Sequence, residues 1–242
     1  MSLRKVYIRY KEGCPDNPNT FAAFDGFQQL GIETVPFYGF GDIDTLEDLG
    51  PEVGLVGFIG DVWNALKKMG KPIPTPLDYP EELRWALGRK VWRSTLGEMR
   101  RSFDPVFIKP VTQKLFTGFV WRAVMGDQIR VVTLADETEL WVSDRVEFVS
   151  EYRVFVKDGE ILDVRRYNGD WSKVPLREIV EGAVHSFKSG PRAYSLDFGV
   201  TPEDETLLVE VNDAYALGHY GLNSIRYANL IEARWEELTR GD

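Results

Sequence analysis

The stretch Tyr194-Ser195-Leu196-Asp197-Phe198-Gly199-Val200, the turn Thr201-Pro202-Glu203-Asp204-Glu205 and the return Thr206-Leu207-Leu208-Val209-Glu210-Val211-Asn212-Asp213 is the most informative part of the chain. It reads as two antiparallel strands around a polar turn. Strand side chains alternate between faces, so Glu210 and Asn212 share one face while Val209 and Val211 point the other way. With Pro202–Glu205 as the loop, Asp197 lies opposite Glu210 and Ser195 opposite Asn212. Cross-strand partners stand about 4.5–5.5 Å apart at Cβ. Two carboxylates and a carboxamide at that spacing repel one another unless a cation neutralises them. Mg²⁺ takes oxygen ligands and shares its shell with phosphate. The pattern is either a metal hairpin of Asp197, Glu210 and Asn212 or a solvated acidic hairpin.

Working outward, Pro105-Val106-Phe107-Ile108-Lys109-Pro110 is an apolar strand ending in a lysine. The polar loop Val111-Thr112-Gln113-Lys114-Leu115-Phe116-Thr117-Gly118 follows, then a strand at Phe119-Val120-Trp121. A lysine at a strand end beside such a loop suits a phosphate chain: Lys109 is a fixed charge, and Lys114 with the loop amides covers the terminal phosphates. The alternative is two surface lysines with their stems laid along the protein. Ser150 to Tyr167 reads as a hairpin with Asp158-Gly159 as its turn. A two-residue turn pairs Lys157 with Glu160, hence Glu151 with Arg166 and Arg153 with Val164. Glu151, Arg153 and Arg166 then share one face, able to hold ribose hydroxyls on one side and a phosphoryl group on the other. A surface ion pair of little energetic consequence is the alternative.

Composition narrows the chemistry. The 242 residues carry 29 Lys and Arg against 38 Asp and Glu, a net charge of −9, which argues against nucleic-acid binding by bulk charge. One cysteine, Cys14, and two histidines, His185 and His219, exclude a Cys or His zinc site and an internal disulfide. Any metal has oxygen ligands. No apolar run of membrane-spanning or signal-peptide length is present, so a cytoplasmic location is expected. There is no Gly-x-x-x-x-Gly-Lys phosphate loop, no zinc helix and no serine elbow.

Upstream, strands are expected at Lys5–Tyr10, Thr34–Phe40 and Val53–Ile59, with helices at Asn19–Leu30 and at Val62–Met69, the latter capped by Asp61. This alternation describes a small α/β lobe over residues 1–76. It closes on the extended linker Lys71-Pro72-Ile73-Pro74-Thr75-Pro76. An α+β body follows over residues 77–242. Its helices are expected from Pro80 to about Arg101, over Val174–Lys188 and over Ser224–Thr239. Its strands include Ile129–Thr133, Leu140–Val142, Glu151–Lys157 and Ile161–Tyr167.

The order of these segments resembles the ATP-grasp fold: a lysine strand (Phe107-Ile108-Lys109-Pro110), a loop, a hinge, a Glu-x-Arg strand (Glu151-Tyr152-Arg153) and an Asp…Glu-x-Asn hairpin. In detail it is similar to a divergent branch of phage and bacterial proteins of unknown substrate, related to a eukaryotic assembly factor for translation initiation. The details are Lys114-Leu115-Phe116-Thr117-Gly118, Arg166-Tyr167-Asn168-Gly169-Asp170 and Val209-Glu210-Val211-Asn212-Asp213. The resemblance implies two lobes gripping ATP, over about residues 77–142 and 143–242. It implies an ATP- and Mg²⁺-dependent ligase that joins a small-molecule or peptide carboxylate to an amine, or to a protein acceptor, through an acylphosphate. An ATP-binding assembly factor and a phosphotransferase are the other readings.

Carried over by position, Lys109 and Lys114 bind phosphates, Glu151 the ribose and Asp144 in the hinge the adenine amino group. Arg153 and Arg166 steady the phosphoryl group, and Asp197, Glu210 and Asn212 hold Mg²⁺. Arg89 stands where the family has a further lysine. The chain departs from the family after Asn212, where Asp213 to Gly221 replaces the usual Asn-x-x-Pro-Gly continuation. Trp171, His219 and Tyr220 are placed by position near the acceptor.

Overall fold

The structure, a computed structural model, describes residues 3–240. The chain begins with β1 (Lys5–Lys11), a two-residue β2 (Cys14–Pro15), α1 (Pro18–Gln29), β3 (Glu33–Phe37), α2 (Phe40–Ile43), β4 (Val53–Val56) and α3 (Ile59–Lys68). β1 lies between β3 and β4, parallel to both, and β2 folds back against its end. The start of α1 is fixed locally. The Asn17 side chain accepts from the Asn19 and Thr20 amides, Thr20 reciprocates to the Asn17 amide, and Pro18 opens the first turn. Asp61 is not the cap of α3. It sits inside the first turn, where its carboxylate accepts from the Phe58 amide at 2.7 Å and from Arg9 at 2.8 Å.

An irregular linker leads to a 3-10 turn (Glu81–Ala86), β5 (Val91–Thr95), α4 (Leu96–Arg101), β6 (Val106–Pro110), β7 (Phe119–Trp121), α5 (Met125–Arg130) and β8 (Glu139–Ser143). The four strands form an antiparallel sheet in the order β5-β8-β6-β7 over a core of Leu96, Ile108, Trp121, Leu140 and Val142. The single helix expected from Pro80 to Arg101 is therefore corrected to three elements. Gly88 breaks the run with φ +58°, and a Cβ there would lie 2.3 Å from the Leu207 side chain. Val91 and Trp92 then pair with β8, so a sheet edge that no local window reveals overrides helical spacing. The strand expected at Ile129–Thr133 is corrected too. Ile129 belongs to α5, and Ile129 and Val132 are exposed, with no partner strand beside them among the described residues.

The remainder is β9 (Ser150–Lys157), β10 (Glu160–Gly169), α6 (Arg177–Ser186), β11 (Ala193–Val200), β12 (Thr206–Asp213), a short 3-10 turn (Ala214–Ala216) and α7 (Ser224–Arg240). Its antiparallel sheet runs β10-β9-β11-β12. One face packs Val154, Leu196, Phe198 and Leu208 against Val180, Ala183 and Phe187 of the α6 region and against Leu83. The opposite face carries the polar residues discussed below.

α7 returns to the N-terminal sheet. Tyr227, Leu230, Ile231 and Trp235 share one core with Ile8, Phe27 and Leu55, joined by Phe155 and Ala193. The approach of α1 to α7 is close enough that a Cβ on Gly26 would lie 2.0 Å from the Ser224 carbonyl oxygen. This shared core ties the first sheet to the polar face of the last.

Candidate active site

β11 and β12 pair Asp197 with Glu210 and Ser195 with Asn212, in the expected register. Nearer the turn the register shifts by one, with Phe198 opposite Leu208, so Val209 is the extra residue of a bulge. The bulge keeps Glu210 and Asn212 on the polar face while returning Leu208 to the core. On the neighbouring strand Arg153 stands opposite Asp197, and Glu151, two residues away, opposite Gly199. A Cβ on Gly199 would meet the Phe148 ring at 2.1 Å, so only glycine fits there.

The other hairpin departs from expectation. Asp158 and Gly159 take φ values of 50° and 80°, as a two-residue turn requires, and Lys157 pairs with Glu160. Two irregularities then shift the register, so Glu151 faces Asn168, Arg153 faces Arg165, and Arg166 faces Tyr152. Arg166 is thereby turned to the face away from Glu151 and Arg153. It is exposed and donates to the Gly169 carbonyl. Tyr167 takes the place expected of Arg166: its hydroxyl donates to Glu151 at 3.0 Å, and its ring stacks on Tyr220 with centroids 4.9 Å apart. Asn168 completes the set around Glu151 at 2.8 Å.

Lys109 crosses from the other sheet to meet this face. Its ammonium lies 2.8 Å from Glu210 Oε2 and 2.6 Å from Asp78 Oδ1, above the Tyr79 ring at 4.9 Å. Burial works against that charge, but Glu210, Tyr79 and Asp78 outweigh it and hold Lys109 above the usual lysine range. Burial likewise opposes the charge on Glu210, yet Lys109 and Asn212 hold its carboxyl below the usual range.

Asp197 is 3% exposed and takes a two-pronged bond from Arg153, at 2.8 and 2.6 Å. Burial raises its carboxyl to about 6 against the pull of Arg153, which leaves it charged at neutral pH. Asn212 bridges the two acids, its Nδ2 donating to Asp197 at 3.2 Å and Glu210 at 3.0 Å. Arg153 also donates to the Gly218 carbonyl at 3.3 Å and lies under the Tyr220 ring.

A cleft of about 620 Å³ opens between the two sheets. Asp78, Lys109, Lys114, Arg153, Glu210 and Asn212 line it, roofed by the 110–118 loop. Lys114 is exposed, at φ +64°. The loop reaches back to the far wall: Tyr215 donates to Gln113 at 3.2 Å and accepts from Trp63 at 3.0 Å. Gly118 ends the loop where a Cβ would lie 2.6 Å from the Phe107 ring.

Asp197 lies beneath the floor, while Glu151, Asp144 and Arg89 stand outside the lining. Asp144 follows β8, where its carboxylate accepts from the Lys90 amide at 3.0 Å. Arg89 clamps the bulge, donating to Leu208 O at 2.7 Å and Val209 O at 3.1 Å. It acts on Glu210 through the backbone. Tyr220 lines the cleft; the His219 amide donates to Asn19, and Trp171 is 78% exposed, away from the lining.

Asp78 escaped the sequence reading. It lies just past the linker, at φ +44°, bridged to Val211 and accepting from Trp141 Nε1 at 3.0 Å. No local pattern marks it. Trp141 was recoverable as the residue opposite Lys109 once β6 and β8 are paired.

The donor set suits a phosphate-linked Mg²⁺. Among the described residues no three His, Cys, Asp or Glu side chains cluster as a metal cage. Asp197, Glu210 and Asn212 offer two carboxylates and an amide oxygen, and Mg²⁺ completes such a partial shell with water and phosphate. Lys109 and Arg153 supply the neutralising charge in the structure.

A family model of the ATP-grasp domain, the second family of one clade of that superfamily, matches residues 87–230, more than half the chain. The chain belongs to the ATP-grasp superfamily. Its fold is similar to that of the D-cycloserine synthetase DcsG, with a TM-score of 0.61, 11% identity, and coverage of 96% of this chain and 99% of that one. It is similar to D-alanine–D-alanine ligase from Bacillus anthracis, at TM-score 0.58 and 12% identity, covering 99% of each. It is also similar to the ATP-grasp ligase PsnB complexed with precursor peptide PsnA2 and AMPPNP, at TM-score 0.56 and 13% identity, covering 97% of this chain and 98% of that one. A search of curated proteins finds no match. Among the described residues of this ATP-grasp chain, no helix is long and apolar enough to cross a membrane.

Proposed function

We propose that this ATP-grasp protein is an ATP-dependent ligase that activates a carboxylate as an acylphosphate and passes it to an amine. One observation carries the reading. Two lysines from one sheet and its loop face a Glu, an Asn and an Arg from the other across a single cleft. In this reading Lys109 fixes the triphosphate at the floor, and Lys114 with the loop closes over its end. Asp144 at the hinge takes the adenine amino group, and Glu151, on the face of Arg153, takes the ribose. Mg²⁺ at Glu210 and Asn212, with Asp197 behind, supplies charge neutralisation for the phosphates.

The substrate carboxylate oxygen attacks the γ-phosphorus, the bond to the β-phosphate oxygen breaks, and ADP leaves. Arg153 steadies the negative charge that develops on the transferred group. The amine then displaces phosphate from the acyl carbon. Catalysis is positioning and electrostatics, so no Cys or His is needed. Arg166 takes no part, because its strand register turns it away.

The similarity of the fold to ligases that act on small amino acids and on peptides supports this chemistry. The test is ADP release from Mg·ATP in the presence of pooled carboxylic acids and amines. Release that requires both substrates is the expected result. A tight ATP complex with no turnover on any pair would overturn the ligase reading in favour of a nucleotide-regulated assembly factor.

A further inference from the structure

A second cavity, of about 520 Å³, adjoins the phosphate cleft on the side of the N-terminal sheet. The two share Ile59, Lys114, Tyr215, Ala216, Leu217 and Gly218 as a common wall. Its volume is that of a small-molecule site. Beyond the shared wall the lining is apolar at Val56, Phe58, Tyr227 and Ile231 and polar at Asn17, Asn19 and Thr20.

The hydrogen bonds of those polar residues decide what the cavity can recognise. Thr20 Oγ1 both accepts from and donates to the Asn17 backbone, and the Tyr227 hydroxyl donates to the Leu217 carbonyl. Asn17 Oδ1 accepts from the Asn19 and Thr20 amides, at 2.9 and 3.2 Å. Asn19 Oδ1 accepts from the His219 amide at 3.0 Å. Both amide orientations are thus fixed by backbone donors, and in each the Nδ2 end has no partner among the described residues. The uncommitted groups are donors. Lys114 is the one charged residue of the lining among the described residues, and no carboxylate belongs to it. Nearby Asp61 and Asp213 are already held by Arg9 and Arg234.

An ammonium in this space would find no counter-charge, and an unpaired buried charge is costly. A carboxylate finds a cation at the shared wall and two amide donors. We propose that the cavity binds the carboxylic acid substrate, and that this acid carries an uncharged aliphatic or aromatic body. The carboxylate lies at the Lys114 side, next to the phosphate cleft, and the body packs toward Val56, Phe58 and Ile231. This inference rests on the ligase reading above and adds the substrate class.

Two probes with one hydrocarbon body and opposite heads, isocaproate and isoamylamine, separate the possibilities. Each is titrated by calorimetry into the free protein and into the protein loaded with Mg·AMPPNP. Isocaproate should bind, with isoamylamine at least about tenfold weaker. Asn19→Asp keeps the oxygen that accepts from His219 and turns the free donor into an anion, at a helix start that tolerates Asp. It should weaken isocaproate by about tenfold and leave Mg·AMPPNP within about twofold. Equal binding of the amine, no binding of isocaproate to either form, or no effect of Asn19→Asp would overturn the proposal. Isocaproate binding without any binding of Mg·AMPPNP would overturn the ligase reading instead, leaving a carboxylate site.

Discussion

Replacing Arg153 with Met tests whether the floor of the site is held by one buried ion pair. Arg153 and Asp197 are 7% and 3% exposed, joined by two bonds of 2.8 and 2.6 Å. Met fills most of the volume but takes away the charge. Asp197 then keeps the Asn212 donor at 3.2 Å and faces Glu210 with nothing between them but that amide. Removing one partner of a buried pair costs about 3–5 kcal/mol, because the remaining charge is stranded. Total stability is about 5–15 kcal/mol, so the loss is a large fraction of it. Urea unfolding followed by tryptophan fluorescence measures it. The companion Asp197→Asn removes the stranded charge, and the double variant should regain about 1–3 kcal/mol relative to Arg153→Met. A loss below about 1 kcal/mol, as for an exposed pair, or no recovery in the double variant would refute the reasoning.

Further expectations follow from individual contacts. Gly26→Ala should destabilise by about 1–3 kcal/mol or more in the same assay, since its methyl would meet the Ser224 carbonyl and push α1 from α7; an unchanged midpoint would contradict that close crossing. Asp78→Asn keeps the acceptor for Trp141 but frees Lys109 of one anion, and should tighten Mg·AMPPNP by about 3–10-fold in calorimetry. Weaker binding would mean that Asp78 helps hold the nucleotide. Arg166→Ala should leave Mg·AMPPNP affinity within about twofold, whereas a tenfold loss would return Arg166 to the site. Chelation of Mg²⁺ by EDTA should weaken AMPPNP at least about tenfold, and equal affinity would separate the nucleotide from the Asp197–Glu210–Asn212 set.

The sequence was most legible where period-two alternation and a turn coincide. Asp197 opposite Glu210 follows from counting residues across a short polar loop, and the structure pairs them so. The same counting failed for Arg166, because bulges insert residues without a compositional mark, and each one moves later side chains to the other face. The segment after Pro80 failed for a different reason. Its apolar spacing fits a helix, but Val91–Thr95 is claimed as a strand by β8, far downstream in the chain. Asp78 and the Asn17–Asn19 pair are invisible locally. They acquire meaning only when the linker and the first helix are brought against the C-terminal half by the core shared with α7.

The account stands or falls on where the triphosphate lies. A crystal grown with AMPPNP and Mn²⁺ in place of Mg²⁺ locates phosphate by density and metal by anomalous scattering. The predicted result is a metal peak within about 2.5 Å of Glu210 and Asn212 oxygens, with Lys109 turned from Asp78 onto phosphate. A nucleotide bound elsewhere, with Lys109 still paired to Asp78 and Glu210, would contradict it.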